Sequence, residues 1–245
     1  MIKFIIMGAL CLISLSSLSN AQVFDPTALN ADPKTATGPL SPKLEGLGNY
    51  SFAVSTSNAE SQYFFDQGFR LWVAFNHSEA MRSFKEAIRL DPNNAMAYWG
   101  WSLTLGRNLN LPMLVNSMEQ ANYAIGMAVL LKDQVSEREA DYIDALAARY
   151  NTDLSIAREE LDEAYAVAME KLMNKYPDDP DAAVLFVGAS MNTQPWDYWN
   201  LDGSPKGRTE QIIDVLESVI AKHPNHAAAL HYHIHVTEFK KPWLS

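Results

Sequence analysis

The sequence offers almost no sulfur chemistry. A single cysteine, Cys11, stands in 245 residues, which excludes an internal disulfide and a thiolate metal cluster. Positive charge is also short, with 19 Lys+Arg against 29 Asp+Glu and a net charge of −10. Nucleic-acid binding needs a basic stripe that displaces counterions from phosphates, and this balance argues against such a partner. No internal apolar run approaches the roughly 18–20 residues that span a bilayer. No phosphate loop, dinucleotide fingerprint or Ser-His-Asp spacing occurs. What is present is apolar mass: 48% of the residues are hydrophobic, ample for a core in one or two domains.

The N-terminus reads as an export address. Met1-Ile2-Lys3 gives a positive start, Phe4 to Ile13 is an apolar run of h-region length, and Ser19-Asn20-Ala21 has a small-x-small pattern. Residues 1–21 are therefore expected to be a signal peptide cleaved after Ala21, placing the protein in the periplasm or outside the cell. Leu10 before Cys11 argues against a lipoprotein. Cleavage removes Lys3 and Cys11, leaving 18 Lys+Arg against 29 Asp+Glu and no thiol. No transmembrane span would remain.

Residues 22–58 carry Pro26, Pro33, Pro39 and Pro42 with Gly38, Gly46 and Gly48. No period survives there, so an extended linker with few core contacts is expected, its end near Tyr50 and Phe52 lying on the first helix. From residue 59 to 245 the period is helical. Leu154, Ala157, Leu161, Ala164, Tyr165, Ala168 and Leu172 form one stripe before Pro177. Ser136 with Glu139 reads as a capping box, and Asn76 with Glu79 as another.

The spacing also repeats. Phe64, Gly68, Leu71, Ala80, Phe84, Ala87 and Pro92 fit the tetratricopeptide offsets, with Gly68 and Ala80 at a close helix crossing and Phe84 filling the gap to the next unit. Further, more degenerate units begin near Ala95 and Asp181, with insertions near Gly106–Pro112 and after Gly188. The expected fold is all-α: a tetratricopeptide-like solenoid of helical hairpins over 59–245, interrupted by insertions.

Several segments carry a resemblance. They are Phe75-Asn76-His77, Ala95 to Gly100, Gly106 to Asn110, Pro195 to Trp199 with Asp202-Gly203, and His231 to His235 with Glu238. With these the chain resembles a family of exported bacterial tetratricopeptide-repeat proteins. The resemblance implies export and repeat scaffolding, with no biochemical activity attached. Members continue through further repeats, so it also implies a C-terminally truncated chain.

Candidate ligand residues follow from chemistry. Trp196, Asp197, Tyr198 and Trp199 combine stacking faces with hydrogen-bonding groups, as a glycan or other neutral polar ligand requires; the alternative is that the indoles seal the repeats. Trp99 and Trp101 point about 200° apart on a helix, so one faces the groove, assigned here to Trp99, with Trp72 beside it. Asn110 and Asn108 follow Gly106 and either hold a ligand or serve the turn. His77 sits in a helix first turn. His231, His235 and Glu238 share one helical face, which suits a divalent metal, or else each imidazole finds its own packing partner. Tyr232 stands where a zincin places its Glu, so hydrolysis by that route is unsupported.

These readings converge on an exported repeat scaffold that performs no catalysis and binds a protein or peptide partner in a concave groove. A glycan-binding accessory of a polysaccharide-utilisation system, and a metal-binding protein or metal-dependent enzyme, are the alternatives. No cofactor is required by the first two.

Overall fold

A computed structural model describes residues 30–153 and 155–238. The expected signal peptide, the first part of the expected linker, Leu154 and the stretch holding Pro242 lie outside the described residues. Among those described there are nine α-helices and no β-strand: α1 Ala59–Val73, α2 His77–Leu90, α3 Ala95–Leu105, α4 Met118–Leu131, α5 Glu137–Ala147, α6 Arg158–Lys175, α7 Pro180–Thr193, α8 Thr209–Lys222 and α9 Ala227–Thr237. Each packs against its neighbours in the chain, while α1 also touches α3, α3 touches α5, and α9 touches both α7 and α1. The first and last helices therefore meet.

Local chemistry explains most boundaries. Asn58 caps α1 by accepting from the Glu60 and Ser61 backbone amides. The Ser136–Glu139 capping box opens α5 as its spacing predicts. Asn76 makes no side-chain cap bond; Glu79 instead pairs with Arg82, 3.1 Å away. Pro180 occupies the first turn of α7, where its missing N–H costs nothing.

Phe84 is the hinge of the first three helices. It is fully buried, and its ring lies against two glycines on different helices. A Cβ on Gly68 would stand 2.9 Å from the ring, and one on Gly100 only 2.4 Å. The helices approach this closely because neither position carries a side chain.

Residues 30–58 correct the linker reading. They form no helix or strand, as their Pro and Gly content dictates, yet they are packed into the core. Leu40 and Phe52 are 5% and 2% exposed. Phe52 lies 5.4–5.7 Å from Phe65, Phe69 and Tyr142, and 6.4 Å from Trp99. Backbone amides of this strap find side-chain acceptors on the helices: Leu40 donates to Glu86 (2.8 Å), Leu44 to Gln67 (2.8 Å), Phe52 to Asp66 (3.0 Å) and Ser55 to Glu139 (2.6 Å). The helices donate back, through Arg82 Nε to the Leu40 carbonyl and Gln62 Nε2 to that of Phe52, both at 2.9 Å. Side chains thus replace the ladder that a strand would supply.

Two outcomes are expected. Phe52→Ala should cost about 3–5 kcal/mol by denaturant unfolding; a loss under about 0.5 kcal/mol would return the strap to the status of a tether. Gly100→Ala should destabilise by about 1–3 kcal/mol through overpacking, more than Gly68→Ala. The Gly100→Ala penalty should shrink in a Phe84→Leu background, read as a double-mutant cycle.

Candidate functional site

The turn after α1 and the face of α9 meet at the ring of Phe75, and a third segment, the 194–208 insertion, reaches the same histidine face through Trp196. The end of α1 sets the position of Phe75. Phe75 N–H donates to the Trp72 carbonyl and Asn76 N–H to that of Leu71, both at 2.9 Å. This is a Schellman ending, whose pivotal residue is left-handed and usually glycine. Phe75 holds that place with φ 60°. Its ring stacks on His77 at 5.9 Å and on His235 at 5.5 Å, and lies 4.3 Å from His231 and 6.0 Å from Tyr232.

The insertion between α7 and α8 supplies the second aromatic. Gln194 accepts from the Asp197 amide at 3.1 Å, with Pro195 and Trp196 as the central turn residues. Trp196 has φ 62°, again at a position that a type II turn normally gives to glycine. Its ring meets His235 edge-on at 5.3 Å and is 40% exposed. The rest of the aromatic group is structural. Tyr198 is 1% exposed, and its carbonyl accepts from Lys206 N and Thr209 Oγ1, both at 2.9 Å. Trp199 donates from Nε1 to the Val236 carbonyl at 2.7 Å, one of the carbonyls a helix end leaves without an intrahelical partner. Asp197 points outward to Lys206 at 2.5 Å. The two roles weighed for this insertion are therefore divided: Tyr198 and Trp199 seal, and Trp196 faces the histidines.

On α9, His231 and His235 share a face one turn apart. His231 Nδ1 bonds the Val73 carbonyl of α1 at 2.7 Å, His235 Nδ1 bonds Glu238 at 3.0 Å, and the two Nε2 atoms lie 3.0 Å apart. Glu238 thus occupies the opposite ring nitrogen from the one His231 faces. The three side chains do not converge on one point as the spacing suggested. Among the described residues no cluster of three or more His, Cys, Asp or Glu side chains could hold a metal ion.

Behind Phe75 lies a small interior pocket of about 20 Å³, lined in part by Trp72, His77, Arg107, Asn108, Arg149 and Asn192. A space of that size admits about one water molecule. Both ring nitrogens of His77 and the Asn192 Oδ1 are buried without a hydrogen-bond partner among the described residues. Arg149, 2% exposed, pairs with Asp162 at 3.1 Å, and Arg158 and Arg107 approach the same carboxylate at 3.4 and 3.8 Å. Gly106 lets Arg149 in, since a Cβ there would stand 2.4 Å from its Nη1.

The tryptophan assignments need correction. Trp99 is fully buried, with its Nε1 donating to the Tyr142 carbonyl at 3.1 Å. It cannot face a groove because Phe52 of the strap covers it. Trp101 is 4% exposed, so both indoles pack. Trp72 is buried, stacked on Phe69 at 5.8 Å, and reaches only the small interior pocket. Asn110 is exposed and donates its backbone N–H to Asn108 at 2.9 Å; Asn108, bonded also by Leu111 N at 3.1 Å, makes the turn and lines the pocket. Sequence reasoning missed Phe75, Arg149 and Asn192. The Phe75-Asn76-His77 segment carries part of the resemblance, yet nothing local marks its ring as the centre.

The chain matches no protein-family model, no curated protein and no solved structure. The site must be read from its own geometry.

Burial, and next the Arg149 guanidinium, push the His77 imidazole down to about 4. Unfolded His77 takes a proton near pH 6.5, so across pH 6.5 to 4 the unfolded chain binds more protons than the folded one. Stability should therefore be full above that window and fall as the pH drops through it, by up to about 3 kcal/mol from this group. Unfolding curves for wild type and His77→Gln at pH 7 and pH 4.5 test this. Equal pH dependence in the two would refute the burial of an uncharged imidazole.

Proposed function

We propose that this chain is an exported binding module of tetratricopeptide-like architecture, which performs no chemistry and presents the junction of α1, α9 and the 194–208 insertion to a peptide or protein partner. The observation that carries the reading is the meeting of three distant segments at one place, with Phe75 and Trp196, both on strained backbone, set against His235 of α9. Non-glycine residues in the left-handed region cost on the order of 1–3 kcal/mol and cluster where function demands them. The repeat reading draws on the signature spacing around Phe84 and on its ring between Gly68 and Gly100. Export draws on the Met1–Ala21 pattern.

The occupant is argued from what stays uncovered. Trp196 is 40% exposed, Leu230 and Ile234 on α9 are 41% and 59% exposed, and Leu201 at the tip of the insertion is 95% exposed. Aromatic and aliphatic groups beside polar histidines suit a protein surface, where a central aromatic anchor dominates affinity. A glycan is the second reading, favoured by the exposed indole of Trp196 next to Asp197. It is weaker because Tyr198 and Trp199 are spent on holding the insertion.

Panels of peptides and of glycans should be screened against the mature protein, followed by Trp196→Ala. Peptide binding weakened about tenfold or more, with an unchanged melting temperature, supports the partner reading. Glycan binding alone, lost in the same variant, favours the second. Binding indifferent to Trp196 removes this junction as the site. Protein recovered from its host should begin at Gln22; an intact Met1 in the soluble cell fraction would remove export.

A further inference from the structure

We propose that His231 and His235 form a two-imidazole chelate for one divalent transition-metal ion, with Glu238 as a positioning residue rather than a ligand. The argument is proton bookkeeping. His231 Nδ1 faces the Val73 carbonyl at 2.7 Å, and a carbonyl can only accept, so that nitrogen carries hydrogen. His235 Nδ1 faces the Glu238 carboxylate at 3.0 Å, and an ionised carboxylate also only accepts. With both rings neutral, these bonds fix the Nδ1–H tautomer and leave the two Nε2 lone pairs facing each other 3.0 Å apart. Such a pair is joined either by one added proton, shared as Nε2–H···Nε2 with the ring beside Glu238 charged, or by a metal cation standing against both lone pairs.

The surroundings match those of a built ligand pair. Metal-binding histidines usually donate the second ring N–H to a carbonyl or a carboxylate, which fixes ring orientation and tautomer. Here one ring has each kind of partner, from two different elements. Phe75 stacked on His235 and Trp196 set edge-on to it hold the ring plane as well. The two Nε2 atoms would subtend an angle of about 91–97° at an ion about 2.0–2.1 Å from each, given their 3.0 Å separation. That is a cis angle of tetragonal coordination, and imidazole with that geometry selects Cu²⁺, then Ni²⁺, with Zn²⁺ following. Water completes the shell. This inference stands apart from the partner reading and survives its failure.

The test uses the untagged full-length chain, stripped with chelator and titrated with Cu²⁺, Ni²⁺, Zn²⁺ or Mg²⁺ alone at neutral pH. Calorimetry and the visible copper absorption are the readouts. One equivalent of Cu²⁺ bound more tightly than Zn²⁺, with none of Mg²⁺, is expected. His231→Ala and His235→Ala should each lower affinity to that of the double variant. Glu238→Gln should weaken it about 10–100-fold while retaining one equivalent. Because His231 also ties α9 to α1, His235→Asn serves as a second variant, with circular dichroism confirming the fold. Copper binding unchanged in the double variant would overturn the site. So would failure to take up any ion, with ring-nitrogen NMR finding a proton shared by the two Nε2 atoms.

Discussion

Phe52 and the acceptors around it are the constraint on which the rest of the molecule depends. Its ring touches aromatic rings from α1, α3 and α5, and its amide is received by Asp66, which is only 8% exposed. Asp66 also takes bonds from Ser51 and Gln62, at 2.7 and 2.9 Å. Burial pushes this carboxyl above the usual range, and those hydrogen bonds oppose the shift. The dependence is mutual. Without the strap, Asp66, Gln67, Glu86 and Glu139 would lose these partners and the apolar surface around Phe52 would be opened to water. Without them, the strap would carry buried amides with nowhere to donate. Because this segment fills the face where Trp99 lies, that face is closed, and the exposed indole of Trp196 lies instead beside α9.

Docking of α9 at that edge is fixed from three sides. The strap reaches its N-terminal end: Tyr50 donates to Asp181 at 2.6 Å and lies edge-on to His226 at 5.4 Å. His226 in turn caps α9 through Ala229 N, 3.3 Å away. Helix α1 holds its middle through the Val73 carbonyl and His231. The insertion holds its end through Trp199 and the Val236 carbonyl. One helix that packs against α8, α7 and α1 is thereby set at a fixed rotation, which aims His231 and His235 at Phe75 rather than at solvent. The histidine pair is as precise as these anchors make it.

Local features were legible in the sequence, and contacts across the chain were not. The capping box at Ser136, the proline stops, the helical period and the spacing of Phe84 from Gly68 all act within a few tens of residues. The strap was misjudged for a physical reason. Its hydrogen bonds run to side chains at irregular positions on α1, α2 and α5, which leave no period to detect. Trp99 was assigned to a groove by helical geometry, and the angle between Trp99 and Trp101 could not reveal that a third element covers one of them. At the site, His231 and His235 were found by spacing, whereas the placement of Glu238 on the Nδ1 side needed coordinates. Phe75 was hidden because nothing local distinguishes a phenylalanine that ends a helix from one that packs within it.

That phenylalanine makes the closing argument. At the left-handed pivot of a Schellman ending, glycine is free of the Cβ penalty, and asparagine tolerates it. The same holds at the second central position of the turn where Trp196 stands. The chain puts large aromatic residues at both places. A ring at Phe75 recovers part of the cost by packing on His77, His231 and Tyr232, but glycine there would have avoided the cost altogether. Trp196 recovers less, since much of its ring faces solvent. What the two positions share is His235, stacked by one ring and met edge-on by the other. On this left-handed backbone both rings lie against that imidazole. Strain accepted twice, at unrelated turns, to hold one histidine from two directions is the mark of a group whose orientation matters to function. The partner surface and the cation site proposed above would therefore share one imidazole.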